Sequence, residues 1–179
     1  MRKLSFIVPV AVVLIVLFMS TVFIVDERNK ALVLQFGRVV AVKEDPGLAF
    51  KIPFIQEVVF YDDRILSRDV DPLEVTPLDD RRLVVDAFTR YRITDVNQFR
   101  EAVGTGGVQV AESRLDSILK SEMREVLGSV SSNDILSSDR AVLMSRIRNA
   151  AIEKALPLGI EVVDVRLKRT DLPRANLDA

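Results

Sequence analysis

The side chains that could perform chemistry in this chain are carboxylates, serines and lysines, because the sequence contains no histidine and no cysteine. Histidine is the commonest general base and metal ligand, and cysteine supplies thiolates for metal and nucleophilic chemistry. The sequence therefore argues against a histidine-based triad and against zinc or thiol chemistry. With 25 basic and 26 acidic residues the net charge is −1, so no basic surplus indicates nucleic acid as a partner.

Three local arrangements of the remaining residues could still support catalysis or ligand binding. Ser121 follows Lys120, but neighbouring residues of a helix point in different directions, which disfavours a serine–lysine dyad. The pairs Asp62-Asp63 and Asp79-Asp80 could bind a metal or transfer protons, although such pairs usually cap turns or face solvent. Gly104-Thr105-Gly106-Gly107 precedes a predicted helix and could hold a phosphate, yet it lacks the lysine and spacing of a P-loop. We predict no catalytic, cofactor-binding or metal-binding residues, and a serine hydrolase is the weaker alternative.

The elements that would position a site begin with an N-terminal apolar segment. No charged residue occurs from Leu4 to Val25, and Arg2 and Lys3 precede that stretch. At about 1.5 Å per residue, a helix of this length crosses a hydrocarbon core about 30 Å thick. It is longer than the apolar part of a signal peptide and ends without a small-x-small cleavage site. The sequence therefore predicts a cytoplasmic tail and transmembrane anchor at 1–25.

Lysine and arginine counts on the two sides of this segment do not settle its orientation. Arg2 and Lys3 lie on one side, and four basic residues follow within twenty residues on the other. A short tail stays easily in the cytoplasm, and large domains cross membranes largely regardless of charge. We expect the following domain to lie outside the cytoplasm.

The rest of the chain, 26–179, has the pattern of an α+β domain. Residues 82–93 alternate between apolar and polar side chains, which predicts a strand with one wet face. Asp95 can cap a short helix that ends at Gly104, and apolar residues at helical spacing predict a longer helix over 108–127. Alternation returns at 160–168. We predict small mixed or antiparallel sheets with packed helices, in one domain or in two subdomains near 26–80 and 81–179.

The apolar run Leu48–Ile55 has two interpretations. It could be a buried strand, or it could lie at the membrane surface, because it follows the predicted anchor closely. In the second case its apolar side chains would enter the lipid interface and its lysine would reach the headgroups. The residues of this candidate membrane-interface site are Leu48, Phe50, Lys51, Ile52, Phe54 and Ile55.

Several segments together resemble the band-7 (SPFH) family of stomatin, prohibitin, flotillin and HflK/C. The opening of that domain resembles the anchor, 34–39 (LQFGRV), 46–54 (PGLAFKIPF) and 61–64 (YDDR). Its closing strand resembles 158–169 (LGIEVVDVRLKR), followed by Leu172-Pro173. The short N-terminal tail, 102–107 and the closing segment are more similar to the HflC branch than to HflK. The resemblance implies an SPFH domain over 26–179.

The resemblance also implies a function. Members of the HflC branch are single-pass proteins of the bacterial inner membrane with a periplasmic domain. With an HflK-like paralogue they form hetero-oligomeric assemblies around an FtsH-like AAA+ protease and modulate it, without being proteases themselves. Family members continue into a long assembly helix, which we expect to be absent because this sequence stops at Ala179.

Two further expectations follow for partners. A charged helix face could contact the next subunit of an oligomer; it comprises Glu112, Arg114, Asp116, Lys120, Glu122 and Arg124. Membrane lipids are expected partners with or without a protease partner. A band-7 protein that organises lipids without a protease partner shares these sequence features and stays open as an alternative.

Overall fold

The computed structural model describes residues 4–136 and 140–171, and Leu172 and Pro173 of the family resemblance lie outside them. The chain divides into two units, Met1–Arg64 and Ile65–Ala179. The boundary therefore falls after Arg64 rather than near residue 80. The reason is that the strand Leu66–Val75 pairs with the strand Leu83–Ile93 and so belongs to the second unit.

Unit 1 contains one helix and five strands among its described residues. These are α1 (Leu4–Thr21), β1 (Val22–Val25), β2 (Asn29–Gln35), β3 (Arg38–Lys43), β4 (Gly47–Phe50) and β5 (Gln56–Asp62). Strand β2 lies between β3 and β5, and β1 pairs with β4 in a separate ribbon. All of these pairings are antiparallel. Val25, Ala31 and Ala49 form a small buried cluster, on which Phe23 and Val58 pack.

The N-terminal apolar segment differs from the sequence prediction at its end. Helix α1 stops at Thr21, and the remaining four residues form β1, which pairs with β4. Three of those four residues are β-branched, which favours an extended conformation where a partner strand is present. Among the described residues, no helix combines the length and the hydropathy that a membrane span requires.

Unit 2 is a three-stranded antiparallel sheet with helices. Its elements are β6 (Leu66–Val75), β7 (Leu83–Ile93), α2 (Val96–Val103), a 3₁₀ turn (Gly104–Gly106), α3 (Gly107–Gly128), α4 (Ser132–Leu136), α5 (Arg140–Ala155), a second 3₁₀ turn (Leu156–Leu158) and β8 (Ile160–Asp171). Strand β7 is central, between β6 and β8. Helix α3 packs on β6 and α5, and α5 packs on β8.

The alternation of β7 explains why the sheet has one covered face. Every odd residue from Leu83 to Ile93 is buried, and the even residues are at least partly exposed. The predicted strand at 82–93 is thus confirmed, as are the helix over 108–127 and the predicted α+β class with antiparallel sheets. Asp95 caps α2 as expected, because its carboxylate accepts a hydrogen bond of 2.9 Å from the Gln98 amide.

The connection between α5 and β8 meets the start of α2 at a glycine. Gly159 has φ +68°, and a Cβ there would lie 2.5 Å from the Asp95 carbonyl oxygen and 2.7 Å from the Phe99 nitrogen. Its carbonyl also accepts the Thr94 amide at 3.0 Å. Only glycine meets both the backbone conformation and the close approach, so this position fixes where β8 begins.

Candidate functional site

The candidate dyad of Lys120 and Ser121 is not assembled. The Lys120 ammonium binds the Asp71 carboxylate at 2.8 Å, and this contact lowers the pKa of Asp71 below its ordinary value. Ser121 is exposed on α3. A lysine that serves as general base must be neutral and within reach of the serine hydroxyl, and an ion pair to a carboxylate opposes both.

Three of the four paired carboxylates have structural partners. Asp62 accepts both the backbone amide and the guanidinium of Arg64, and the Arg64 hydrogen bond lowers the pKa of Asp62. Lys30 binds Asp63 at 3.1 Å. Asp79 accepts the amide of Ser132 at 3.1 Å and also the Ser132 hydroxyl, whose hydrogen bond lowers the pKa of Asp79. Within 4–136 and 140–171, no three carboxylates come together in a group that could hold a metal ion.

The glycine segment 104–107 has a structural role, because it allows the backbone to turn between two helices. Gly104 and Gly107 both have φ +59°, in the region that side-chain-bearing residues avoid. Gly104 begins the 3₁₀ turn between α2 and α3, and Gly107 begins α3 directly after it. These glycines are therefore explained by a sharp change of chain direction between two helices.

The charged face of α3, which the sequence suggested as a subunit contact, makes most of its contacts inside unit 2. Glu112 and Asp116, one helical turn apart, bind Arg68 of β6 at 3.3 and 3.2 Å. Tyr91 of β7 is fully buried and donates a 2.8 Å hydrogen bond to Glu112. Burial, and then this hydrogen bond, raise the pKa of the Tyr91 hydroxyl.

Two further residues of the same face also have partners inside unit 2. Glu122 is buried and bound by Lys154 of α5, which raises the pKa of that lysine. Arg114 donates to the Ala102 carbonyl at 2.8 Å. Of the predicted contact residues, Arg124 is the one that stays exposed with no such contact in the described part of the chain.

The apolar run 48–55 is mostly exposed, so its interpretation as a buried strand is wrong except at Ala49. We call the exposed apolar side chains of unit 1 in and beside this run the apolar lip: Ile24 (69% exposed), Phe36 (85%), Leu48 (70%), Phe50 (66%), Ile52 (51%), Phe54 (93%) and Ile55 (44%). Large exposed apolar patches on a folded unit usually mark a surface that meets a partner or a membrane.

Strand pairing explains the exposure of three of the seven lip residues. In the β1–β4 ribbon, Ile24 lies opposite Leu48 and Val22 lies opposite Phe50. Side chains of directly opposed residues share a face, and the next residues along each strand point to the other face. Phe23 and Ala49 face the buried cluster. The ribbon therefore has one face packed in the core and one face that is apolar and exposed.

Two turns supply the remainder. Phe36 and Gly37 form the two-residue connection of β2 and β3, and both have positive φ, +50° and +79°. Phe54 lies in the turn before β5 with φ +66°. Because Gln35 pairs with Gln56, these two turns lie at the same end of the β3–β2–β5 sheet. Two phenylalanines thus stand in strained, solvent-exposed turn positions that would suit glycine or asparagine.

The lip also adjoins the end of α1. The amide of Lys51, between Phe50 and Ile52, donates a 2.7 Å hydrogen bond to the carbonyl of Thr21, the last residue of α1. Of the predicted interface residues, all except Lys51 belong to the lip, and Lys51 is half-buried beside it. Sequence reasoning missed Ile24 and Phe36; the signal for Phe36 was an aromatic residue directly before the glycine of a hairpin turn.

Comparison with known proteins identifies the class of this fold. The family model described as SPFH domain / Band 7 family matches residues 23–179. The chain therefore belongs to the SPFH/band-7 family, and the predicted membership is confirmed.

Among curated proteins the chain is similar to HflC proteins. It is 30% identical over 177 residues to Protein HflC of Haemophilus influenzae, covering 94% of this chain and 60% of that protein. It is 31% identical over 218 residues to the Escherichia coli protein named Modulator of FtsH protease HflC, covering 97% of this chain and 65% of that protein. Protein HflC of Buchnera aphidicola is 32% identical over 187 residues. The chain thus spans somewhat under two thirds of the length of these relatives.

Proposed function

We propose that this chain is a membrane-anchored scaffold that modulates an FtsH-like AAA+ protease, in an assembly with an HflK-like paralogue and without catalytic activity of its own. Its similarity to a protein named as a modulator of FtsH protease supports the protease partner. We further propose that it resides in the bacterial inner membrane as a single-pass protein, with 26–179 on the periplasmic side.

The apolar lip is the observation that carries the membrane part of this proposal. An apolar, uncharged helix ends at Thr21, and a hydrogen bond joins that residue to Lys51, which lies between the lip residues Phe50 and Ile52. If α1 lies in lipid, Phe50, Ile52 and Phe54 stand at the level where hydrocarbon meets headgroups. Insertion of aromatic and aliphatic side chains into that zone is energetically favourable, and a neighbouring lysine can reach the phosphates.

Backbone strain supports the same proposal. An exposed phenylalanine at positive φ costs conformational energy and contributes little burial to its own unit. Phe36 and Phe54 both meet this description. Contact with lipid offsets that cost, because each buried phenylalanine is worth about 1.5–3 kcal/mol. The lip therefore holds unit 1 against the bilayer.

The test is to express the tagged chain in its native membrane, extract it with mild detergent and identify the accompanying proteins by mass spectrometry. The same cells supply a second measurement, the lifetime of a membrane protein that FtsH degrades. We expect HflK-like and FtsH-like proteins in the extract and a changed substrate lifetime. Recovery of lipid without either protein, at unchanged substrate lifetime, would contradict the protease role and favour the lipid-organising alternative.

A pair of variants separates the lip from general effects of charge. Phe54→Asp places a carboxylate in the lip, whereas Val40→Asp places one on β3, at a site that is also exposed (53%) but outside the lip. We expect the effect on substrate lifetime to be lost in the first variant and retained in the second. Equal behaviour of the two would show that the lip does not contribute to modulation.

A further inference from the structure

Unit 2 has a groove of about 490 Å³ between helix α5 and strand β8. Its helical wall includes Arg140, Met144 and Arg148, which recur every four residues and so lie on one face of α5. Its other wall is the stretch of β8 from Asp164 to Leu167. The residues of this groove take no part in the apolar lip or in the network around Arg68.

The groove is positively charged. Arg140, Arg148 and Arg166 line it, and Asp164 is the one acidic side chain among the described residues of its lining. Asp164 is already neutralised by Arg166, whose Nε lies 2.6 Å from the carboxylate. Arg148 contacts only a neutral group among the described residues, the amide oxygen of the adjacent Asn149 at 3.2 Å. Within 4–136 and 140–171, Arg140 and Arg148 therefore have no carboxylate partner, and apolar Met144 lies between them on the helix.

Strand β8 borders the groove and lies at an edge of its sheet. Within the described part of the chain the sheet order is β6–β7–β8, so β8 has a partner strand on one side there. An edge strand presents backbone N–H and C=O groups to any extended segment that approaches it. One such group is already in use from the groove side, because Arg140 donates to the Leu167 carbonyl at 2.5 Å.

We propose that this groove binds an extended acidic segment of a partner protein, which adds to the sheet alongside β8. The strand edge supplies main-chain hydrogen bonds, and Arg140 and Arg148 pair with carboxylates of the segment. Met144 accepts an apolar side chain between them, since a thioether side chain adapts to varied partners. Charge complementarity selects an acidic partner and excludes a basic one.

The test uses the full chain in detergent micelles and a fluorescein-labelled hexapeptide of alternating glutamate and valine, with binding measured by fluorescence anisotropy. A peptide with lysine in place of glutamate is the charge control. Arg148→Glu reverses one charge of the groove. Arg146→Glu makes the same change two residues away, at an exposed position outside the groove.

We expect saturable binding of the acidic peptide that Arg148→Glu weakens about tenfold, while Arg146→Glu changes it less than about twofold. N-methylation of alternate peptide amides is expected to weaken binding similarly, because it removes main-chain donors. Equal effects of the two arginine variants, equal binding of the lysine peptide, or no saturable binding would overturn the proposal. So would self-association of the chain that Arg148→Glu abolishes, since the groove would then take a second copy.

Discussion

Replacing Phe36 by asparagine should stabilise the β2–β3 hairpin and weaken contact with the membrane at the same time. Phe36 and Gly37 form a two-residue turn with positive φ at both positions. That is the signature of a type I′ turn, for which Asn-Gly is the preferred sequence. The native residue is thus a poor choice for the turn, which the proposed lip function explains.

The expected size of the stabilisation follows from two terms. A residue with a bulky side chain pays roughly 1–2 kcal/mol for the left-handed conformation, and asparagine tolerates that conformation better. Phe36 is 85% exposed, so its removal forfeits only about 0.3 kcal/mol of burial. The hairpin should gain about 1 kcal/mol, which corresponds to about a fivefold slower amide exchange through local opening.

Hydrogen–deuterium exchange of the full chain in detergent micelles measures this gain on peptides that cover 29–43. Phe50→Asn is the matched control, because Phe50 is also an exposed lip residue but lies in strand β4 without positive φ. We expect protection to rise for Phe36→Asn and not for Phe50→Asn, and lipid contact to fall for both. Lower protection in Phe36→Asn would refute the reasoning, since the phenylalanine would then stabilise the turn.

Three further predictions concern unit 2 and its stability. Gly159→Ala should lower the free energy of unfolding by about 2–4 kcal/mol, because the residue must keep a positive φ and its new Cβ would clash with backbone atoms of Asp95 and Phe99. Gly37→Ala is the control, since Gly37 has φ +79° and no atom lies within 4 Å of the position of its Cβ. That variant should lose only about 1 kcal/mol, and urea unfolding measures both changes. Tyr91→Phe should cost about 1.5 kcal/mol, because Glu112 loses a hydrogen bond within a buried network; a neutral result would mean that water replaces the hydroxyl. The Ser132 hydrogen bond lowers the pKa of Asp79 below its ordinary 3.8. The ionised Asp79 carboxylate therefore stabilises the contact with α4 fully above pH 3.8, and this stabilisation is lost as the pH falls through the lowered pKa. Amide exchange of 132–136 between pH 6 and pH 3 should show this loss in the native chain. The same pH-dependent loss of protection should be absent from the Asp79→Asn variant.

Much of unit 2 could be predicted because its local signals agree with its tertiary structure. The alternation of 82–93 and the helical stripe of 108–127 both correspond to buried faces. Asp95 and Gly159 carry capping and turn chemistry that depends on few other residues. In such segments, local preference and burial favour the same conformation.

The errors occurred where distant strands decide the outcome. The end of α1 could not be placed from hydropathy, because Val22–Val25 is apolar in either state and becomes a strand through pairing with β4. The charged face of α3 looked free in the sequence, whereas Arg68 and Tyr91 lie on strands that pair next to each other and meet it. Charge alone does not reveal such partners.

The apolar lip was only partly predictable for the same reason. Its central run, 48–55, was visible as a row of apolar residues, but exposure depends on which ribbon face packs on the core. Ile24 was hidden in the longer apolar segment, and Phe36 appeared as one aromatic residue before a glycine. That the turns at Phe36 and Phe54 lie at the same end of the sheet became visible only from the register of β2 and β5.

The most direct test of membrane apposition uses the fact that the chain contains no tryptophan. Phe54→Trp, in the full chain reconstituted into liposomes, makes the lip the only source of tryptophan fluorescence. Val42→Trp, on β3 about 16 Å along the strand from the hairpin turn, is the matched control. We predict blue-shifted emission and strong quenching by bromine-labelled lipids for Phe54→Trp and neither for Val42→Trp. Solvent-like emission and no lipid quenching at position 54 would contradict the account.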